Sequence, residues 1–167
     1  MRNTIVIVIS ILLLVGLFGE IALAVNIELD LGLGTGLSYP EVVSFNSRFL
    51  ADISLRQSSN PRFIGIIRPE VAPSSFLGIS VTSIELSLIG EYNTDRINPY
   101  LGIGGGIILT NTSVGSDSSS LFHGLGGVKL IGKGEVLPKP LDFFAQGKLR
   151  SHPTEDYQFV LEFGFLY

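Results

Sequence analysis

The sequence predicts an all-β fold, an eight-stranded antiparallel up-and-down β-barrel that follows a cleavable signal-peptide helix. Two observations carry this prediction. Apolar and polar residues alternate with a period of two in six segments and more weakly in two others, 62–71 and 123–133, as they do along strands with one apolar face. Clusters of Pro, Gly, Ser, Asn and Asp separate these segments and mark turns. At 167 residues and 46% hydrophobic content, the chain has room for one domain.

The N-terminus has the organisation of a secretory signal. A single positive charge at Arg2 precedes an apolar run at 5–18, and Ala22 and Ala24 provide the small residues of a cleavage site. An uncleaved anchor is the alternative, but the run is shorter than the roughly 20 apolar residues of a spanning helix. We therefore expect a signal peptide at 1–24 and a single mature domain at 25–167.

Alternation is clearest at the two ends of the mature chain. In the first segment, Ile27, Leu29 and Leu31 alternate with polar or small residues. In the last, Phe163 and Phe165 share one face with other bulky apolar residues. The predicted strands are 25–37, 45–56, 62–71, 83–93, 100–109, 123–133, 141–150 and 157–167. The predicted turns and loops are 38–40, 58–61, 69–75, 93–99, 111–120, 133–140 and 151–156.

The two faces of these strands differ in a way that favours a transmembrane β-barrel. The apolar face is bulky and nearly continuous, whereas the other face mixes Gly, Ser and Asn with balanced charges, which suits a crowded polar lumen. A secreted, lipocalin-like barrel with an apolar ligand cavity is the alternative, and it would place the apolar face inside. The predicted lumenal acids are Glu28, Asp30, Asp52, Glu85, Glu91, Asp142 and Glu162, and the bases are Arg48, Arg56, Lys129, Lys133, Lys148 and Arg150.

The segment at 99–106, PYLGIGGG, and the C-terminal LEFGFLY at 161–167 resemble small bacterial outer-membrane β-barrels of the OmpA/OmpX type. The resemblance implies an outer-membrane location in a bilayer with lipopolysaccharide or an equivalent lipid. It also implies that Leu161, Phe163, Phe165 and Tyr167 present the last strand to the barrel-assembly machinery. Both termini would then be periplasmic, and the connections at 38–40, 69–75, 111–120 and 151–156 would face outside.

Composition and motifs restrict the function. A net charge of -4 disfavours nucleic-acid binding, and the absence of Cys excludes disulfides and thiolate chemistry. Because eight strands enclose an interior just filled by side chains, we expect no wide pore. The expected role is structural or surface-interacting, in a monomer without catalytic residues, metal or cofactor.

The alternative function is that of a lipid-modifying enzyme similar to a lipid A deacylase. His123 and His152 are the only imidazoles, and such an enzyme would place a His, a Ser and an acid on adjacent barrel positions. The residue two positions after His123 is Leu125, so the serine partner within that strand is missing. His152 lies in a predicted outer loop with a hydroxyl and acids nearby, a composition typical of a solvated loop. We therefore expect no enzyme activity.

Overall fold

The computed structural model describes residues 25–39, 45–57, 60, 62–76, 79–94, 96–132, 141–152 and 155–167. The predicted signal peptide at 1–24 and the predicted turn at 133–140 lie outside these residues. Within the described ranges, no helix has the length and apolar character needed to cross a membrane.

The described residues form eight antiparallel strands, each hydrogen-bonded to the next, and the last pairs with the first to close a barrel. The predicted eight-stranded, up-and-down barrel is therefore confirmed. The closing seam joins β1 to β8 from the Gly32–Leu166 pair to the Tyr39–Phe159 pair. The strands are β1 (Val25–Tyr39), β2 (Phe45–Gln57), β3 (Phe63–Phe76), β4 (Ile79–Tyr92), β5 (Ile97–Asn111), β6 (Ser116–Leu130), β7 (Asp142–His152) and β8 (Glu155–Leu166).

We call the end of the barrel that carries the connections after β1, β3, β5 and β7 the upper end. The lower end carries the other connections and the two ends of the barrel sequence, Val25 and Tyr167. Every strand therefore runs between these two ends, and some strands extend further than their neighbours.

The apolar face of the barrel points outward. Leu29, Leu86, Ile103 and Phe163 lie on four different strands and are exposed by 55%, 52%, 69% and 44%. Charged residues such as Asp52 and Lys148 point inward and are fully buried. This arrangement contradicts the lipocalin-like alternative, because the interior is lined by polar and charged side chains with only small apolar clusters between them.

Two segments that the sequence assigns to turns are largely strand in the structure, and the described residues of a third, 151–156, belong to β7 and β8. The prediction of a turn at 69–75 was wrong, because β3 continues to Phe76 with Pro69 and Pro73 on its outward face. The ladder between β2 and β3 runs from the Arg56–Ile64 pair to the Ile53–Ile67 pair. It is interrupted at Arg68 and Pro69 and resumes with the Leu50–Glu70 and Phe49–Val71 pairs. A proline has no N–H to donate to a neighbouring strand, so the chain keeps its extended course while losing ladder bonds on that side.

The predicted loop at 111–120 is also mostly strand. The turn is confined to Thr112–Gly115, where the amide of Thr112 donates to the carbonyl of Gly115 at 2.9 Å. Residues 116–120 extend β6, whose pairing with β7 reaches only to Phe122–Ser151. The β5–β6 hairpin therefore projects beyond β7 at the upper end. Serines follow one another here, so hydropathic alternation does not reveal the strand.

Aromatic side chains mark both rims of the outer surface. Tyr39 and Tyr157 are exposed near the upper end, and Tyr92 and Tyr167 near the lower end. Phe63 packs edge-on against Tyr92 with ring centroids 5.5 Å apart. These rings occupy the positions where aromatic girdles flank the apolar band of a membrane barrel, in a chain that has no Trp.

Candidate functional site in the lumen

The described part of the lumen holds a central network of four cationic and four anionic side chains. Its charges balance, and nearly every member is fully buried, so each charge depends on its partners rather than on water. The cations are Arg48, Arg68, Lys148 and Arg150, and the carboxylates are Asp52, Glu70, Glu85 and Glu162.

Lys148 on β7 is the hub of this network. Its Nζ lies 2.6 Å from Glu70, 3.2 Å from Glu85 and 3.2 Å from Glu162. The side chains of all four residues have no exposed surface. Because its partners come from β3, β4 and β8, this one ammonium group connects strands on opposite sides of the barrel.

Two arginines, Arg48 and Arg150, contact the same carboxylates as Lys148 and extend the network. Arg48 pairs with Glu70 and also lies 2.9 Å from Glu162 through the same Nη1. Arg150 donates to Glu85. Glu70, Glu85 and Glu162 each contact at least two cations, so no single ion pair can be removed without leaving others incomplete.

Arg68 makes a separate two-pronged contact with Asp52. Its Nε and Nη2 donate to the two carboxylate oxygens at 2.5 and 2.7 Å, and its Nη1 donates to Gln146 at 2.8 Å. The guanidinium also lies over the rings of Tyr100 and Phe144, 5.5 and 5.3 Å from their centroids. This bidentate, ring-stacked geometry is specific to arginine and fixes the group rigidly.

A second polar cluster lies nearer the lower end. Lys129 is 2.8 Å from Glu91, and the amide nitrogen of Asn98 donates to Glu91 at 2.7 Å. Asn98 also accepts from the backbone amide of Thr94 at 2.7 Å, which ties the lumen to the β4–β5 connection. At the lower rim, Arg56 and Glu28 form a looser, part-exposed pair at 3.6 Å.

Glycines on β5 let side chains from the neighbouring strands meet inside the barrel. Gly104 pairs with Ser87 on one side and with His123 on the other, and all three face the lumen. A Cβ at Gly104 would lie 2.5 Å from Nε2 of His123. Only a residue without a side chain therefore allows Ser87 Oγ and His123 Nε2 to form their 2.9 Å hydrogen bond.

Glu85 completes an arrangement of three residues around this imidazole. Its Oε2 lies 3.4 Å from Nδ1 of His123, so acid, imidazole and hydroxyl follow one another as in an acyl-transfer triad. Two features oppose that chemistry. Ser87 is fully buried, and Glu85 is shared with Lys148 and Arg150.

Ten of the thirteen predicted lumenal charges fall into three groups. Arg48, Asp52, Glu85, Lys148, Arg150 and Glu162 join the central network, and Glu91 and Lys129 form the lower cluster. Glu28 and Arg56 meet at the rim, while Asp142 accepts from the amide of Gly132 at 2.9 Å. Asp30 lies on β1, and Lys133 falls outside the described residues.

Sequence analysis missed Arg68 and Glu70, which are both fully buried members of the network. They lie on β3, where Ile64 and Ile66 are buried inside while Phe63 is exposed outside. Apolar residues on both faces hide the alternation. Arg68 nevertheless lies an even number of positions from Ile64, so the two side chains share the inward face of the strand. Residue spacing within the strand of His123 does not reveal its serine partner, because Ser87 lies on β4. The side chain of His152 lies outside what the structure describes.

Within the described ranges, no group of His, Asp and Glu side chains is arranged to hold a metal ion. The carboxylates that come together in the lumen are already in contact with Lys and Arg.

Comparison with known proteins identifies the fold. No protein-family model matches the chain, and no curated protein matches it either. Among solved structures, Neisserial surface protein A is 14% identical, covering 83% of this chain and 94% of its own, with a TM-score of 0.52. The outer membrane enzyme PagL is 15% identical, covering 82% of this chain and 97% of its own, also with a TM-score of 0.52. The chain is thus similar in fold to small outer-membrane barrels.

Proposed function

We propose that this chain is an integral outer-membrane β-barrel with a structural or surface-interaction role. The observation that carries the proposal is the inverted distribution of polarity, with exposed bulky apolar residues outside and buried ion pairs inside. In water, so continuous an exposed apolar surface would drive association. In a bilayer the same surface is solvated by hydrocarbon, and the closed barrel satisfies its backbone hydrogen bonds internally.

In this proposal the lumen has a mechanical role. The ion-pair network connects strands across the interior and fills the space that a channel would need. Purified protein in a planar bilayer is therefore expected to show no stable conductance steps. Reproducible ohmic steps would contradict the idea of a side-chain plug.

The upper end is the side we assign to the exterior. The projecting β5–β6 hairpin lies there, with Val114 exposed by 96% at its turn, and long outer loops with short periplasmic turns are the rule for such barrels. The last strand, with Phe163 and Phe165 facing outward, would be presented to the barrel-assembly machinery during insertion. The barrel is proposed to act as a monomer.

A catalytic role is not part of the proposal, although the fold is similar to that of PagL, an outer membrane enzyme by its name. The buried position of Ser87 favours a packing role for the Ser87–His123–Glu85 arrangement. Cells carrying Ser87→Ala or His123→Ala should have outer-leaflet lipid with the same acylation pattern as wild-type cells, measured by mass spectrometry. Loss of an acyl-chain modification in these variants, at normal barrel abundance, would establish a hydrolase instead.

Cell fractionation tests the proposed location. The protein should sediment with outer-membrane markers, resist extraction by high salt and dissolve in detergent. Its electrophoretic mobility should also change on heating, since a closed barrel resists detergent unfolding. Recovery of the folded protein in the soluble periplasm without detergent would end the proposal.

A further inference from the structure

The outer wall of the barrel contains a shallow groove of about 620 Å³ that crosses strands β4 to β8. Its volume falls in the range of roughly 300–1,000 Å³ that small-molecule sites occupy. The groove lies within the apolar band, towards the upper end. Its main lining side chains are Leu86, Leu88, Ile103, Phe122, Leu149 and Tyr157.

The groove exists because glycines interrupt two rows of outward side chains. Gly105 lies between Leu86 and Phe122 in one row, and Gly124 lies between Ile103 and Leu149 in the next. A Cβ added at Gly124 would meet no atom within 4 Å. The floor is therefore bare backbone at Gly124, whereas the ring of Phe122 lies close to Gly105, 3.4 Å from where a Cβ would stand. The flanking side chains form the walls.

Outward-facing polar side chains are confined to one end of this groove. Ser151 and Tyr157 line it close to the upper end, where β7 ends and β8 begins. No Lys, Arg, Asp or Glu lines the groove. His123 also borders the groove, although its imidazole is hydrogen-bonded to Ser87 in the lumen. The groove thus offers an apolar channel with hydroxyl groups at its upper mouth.

We propose that this groove binds one acyl chain of an outer-leaflet lipid, with the ester end of that chain near Ser151 and Tyr157. The inference rests on the proposed membrane location. The uncharged lining matches hydrocarbon, and the hydroxyl groups lie on the side from which an outer-leaflet chain would enter. A second copy of this chain is a poorer occupant. Apolar burial gives no driving force between proteins in lipid, and the groove offers few polar groups to hold a partner.

Photolabelling with a lipid of known structure tests this assignment. Wild-type barrel is reconstituted in phosphatidylethanolamine and phosphatidylglycerol vesicles that contain a small fraction of phosphatidylethanolamine with a diazirine in its acyl chain. Labelled peptides are then mapped by mass spectrometry. Peptides containing Phe122, Gly124 and Leu149 should be labelled several-fold more than the outward face of β1, which carries Leu29 and Leu31.

Two matched variants separate the groove from the surrounding apolar band. Gly124→Phe fills the floor and should reduce labelling there to the level of β1. Gly90→Phe adds the same ring to the outward face of β4, outside the groove, and a Cβ at Gly90 likewise meets no atom within 4 Å. This control should keep the wild-type labelling pattern.

Three other results are possible, and each would overturn a different claim. Uniform labelling around the wild-type barrel would overturn the groove assignment while leaving the membrane location intact. Failure of the folded protein to enter vesicles at all would overturn the proposed function itself. A dimer in native mass spectrometry that disappears with Gly124→Phe, without local lipid labelling, would show that a second copy occupies the groove.

Discussion

Replacing Lys148 with Met removes the hub of the lumenal network while keeping an unbranched side chain. The substitution leaves Glu70, Glu85 and Glu162 buried with one shared cation fewer, since all three lie within 3.2 Å of Nζ. Removing one partner of a buried ion pair typically costs about 3–5 kcal/mol. With a urea dependence of about 2 kcal/mol per molar, the unfolding midpoint should fall by about 1.5–2.5 M.

The assay is urea unfolding of the barrel in vesicles, followed by its heat-modifiable electrophoretic mobility. Arg56→Met is the control, because the Arg56–Glu28 pair is 3.6 Å long, with its two side chains 33% and 54% exposed. An exposed pair contributes about 0–1 kcal/mol, so its loss should barely move the midpoint.

A compensating variant separates charge imbalance from loss of packing. Adding Glu70→Gln to Lys148→Met restores three cations to three carboxylates in the central network and should recover at least half of the lost stability. If Lys148→Met costs no more than Arg56→Met, the network does not brace the barrel and the mechanical role assigned to the lumen is wrong.

Three further changes test other parts of the structure. Leu86→Lys places a charge on the outward face and should cost about 2–4 kcal/mol if that position lies near the bilayer midplane; a stability equal to wild type in vesicle unfolding would contradict lipid contact there. Gly104→Val should cost about 1–3 kcal/mol in the same assay, because its Cβ collides with the carbonyl oxygen of Leu86 and with the imidazole of His123; wild-type stability would show that both the backbone and the imidazole shift freely. Shortening the Thr112–Gly115 turn should leave the unfolding midpoint unchanged, because the turn side chains are exposed; a large loss would show that the hairpin supports the barrel.

The strands that sequence analysis predicted best are those with an apolar face on the outside of the barrel and a contrasting face towards the lumen. In β1, bulky outward residues alternate with polar, charged or small ones, so the pattern identifies both the strand and its faces. In β8, the outward row of aromatic and leucine side chains identifies the strand, although Val160 and Leu166 are buried on the inward face. In β3 the alternation is hidden, because Ile64 and Ile66 point into the barrel while other apolar residues of the same strand point outward. Pro69 then suggests a turn where the barrel only loses ladder bonds.

Pairings inside the lumen were beyond sequence analysis. Ser87 and His123 are 36 positions apart and meet because Gly104 lies between them in the register of three strands. Lys148 reaches Glu70 over 78 positions, across the interior rather than along the sheet. The charge balance of the inward face was predictable from alternation, but the choice of partners depends on strand register and on which positions lack side chains.

Site-directed spin labelling in vesicles tests most directly whether hydrocarbon surrounds the outward face. The absence of Cys allows single labels to be placed at Leu29, Leu86, Ile103 and Phe163 without background. The account predicts that all four labels collide freely with oxygen dissolved in the bilayer and are shielded from a water-soluble nickel chelate. Ready collision with the nickel chelate at these four positions would show that water, not lipid, covers the apolar face, and it would contradict the account.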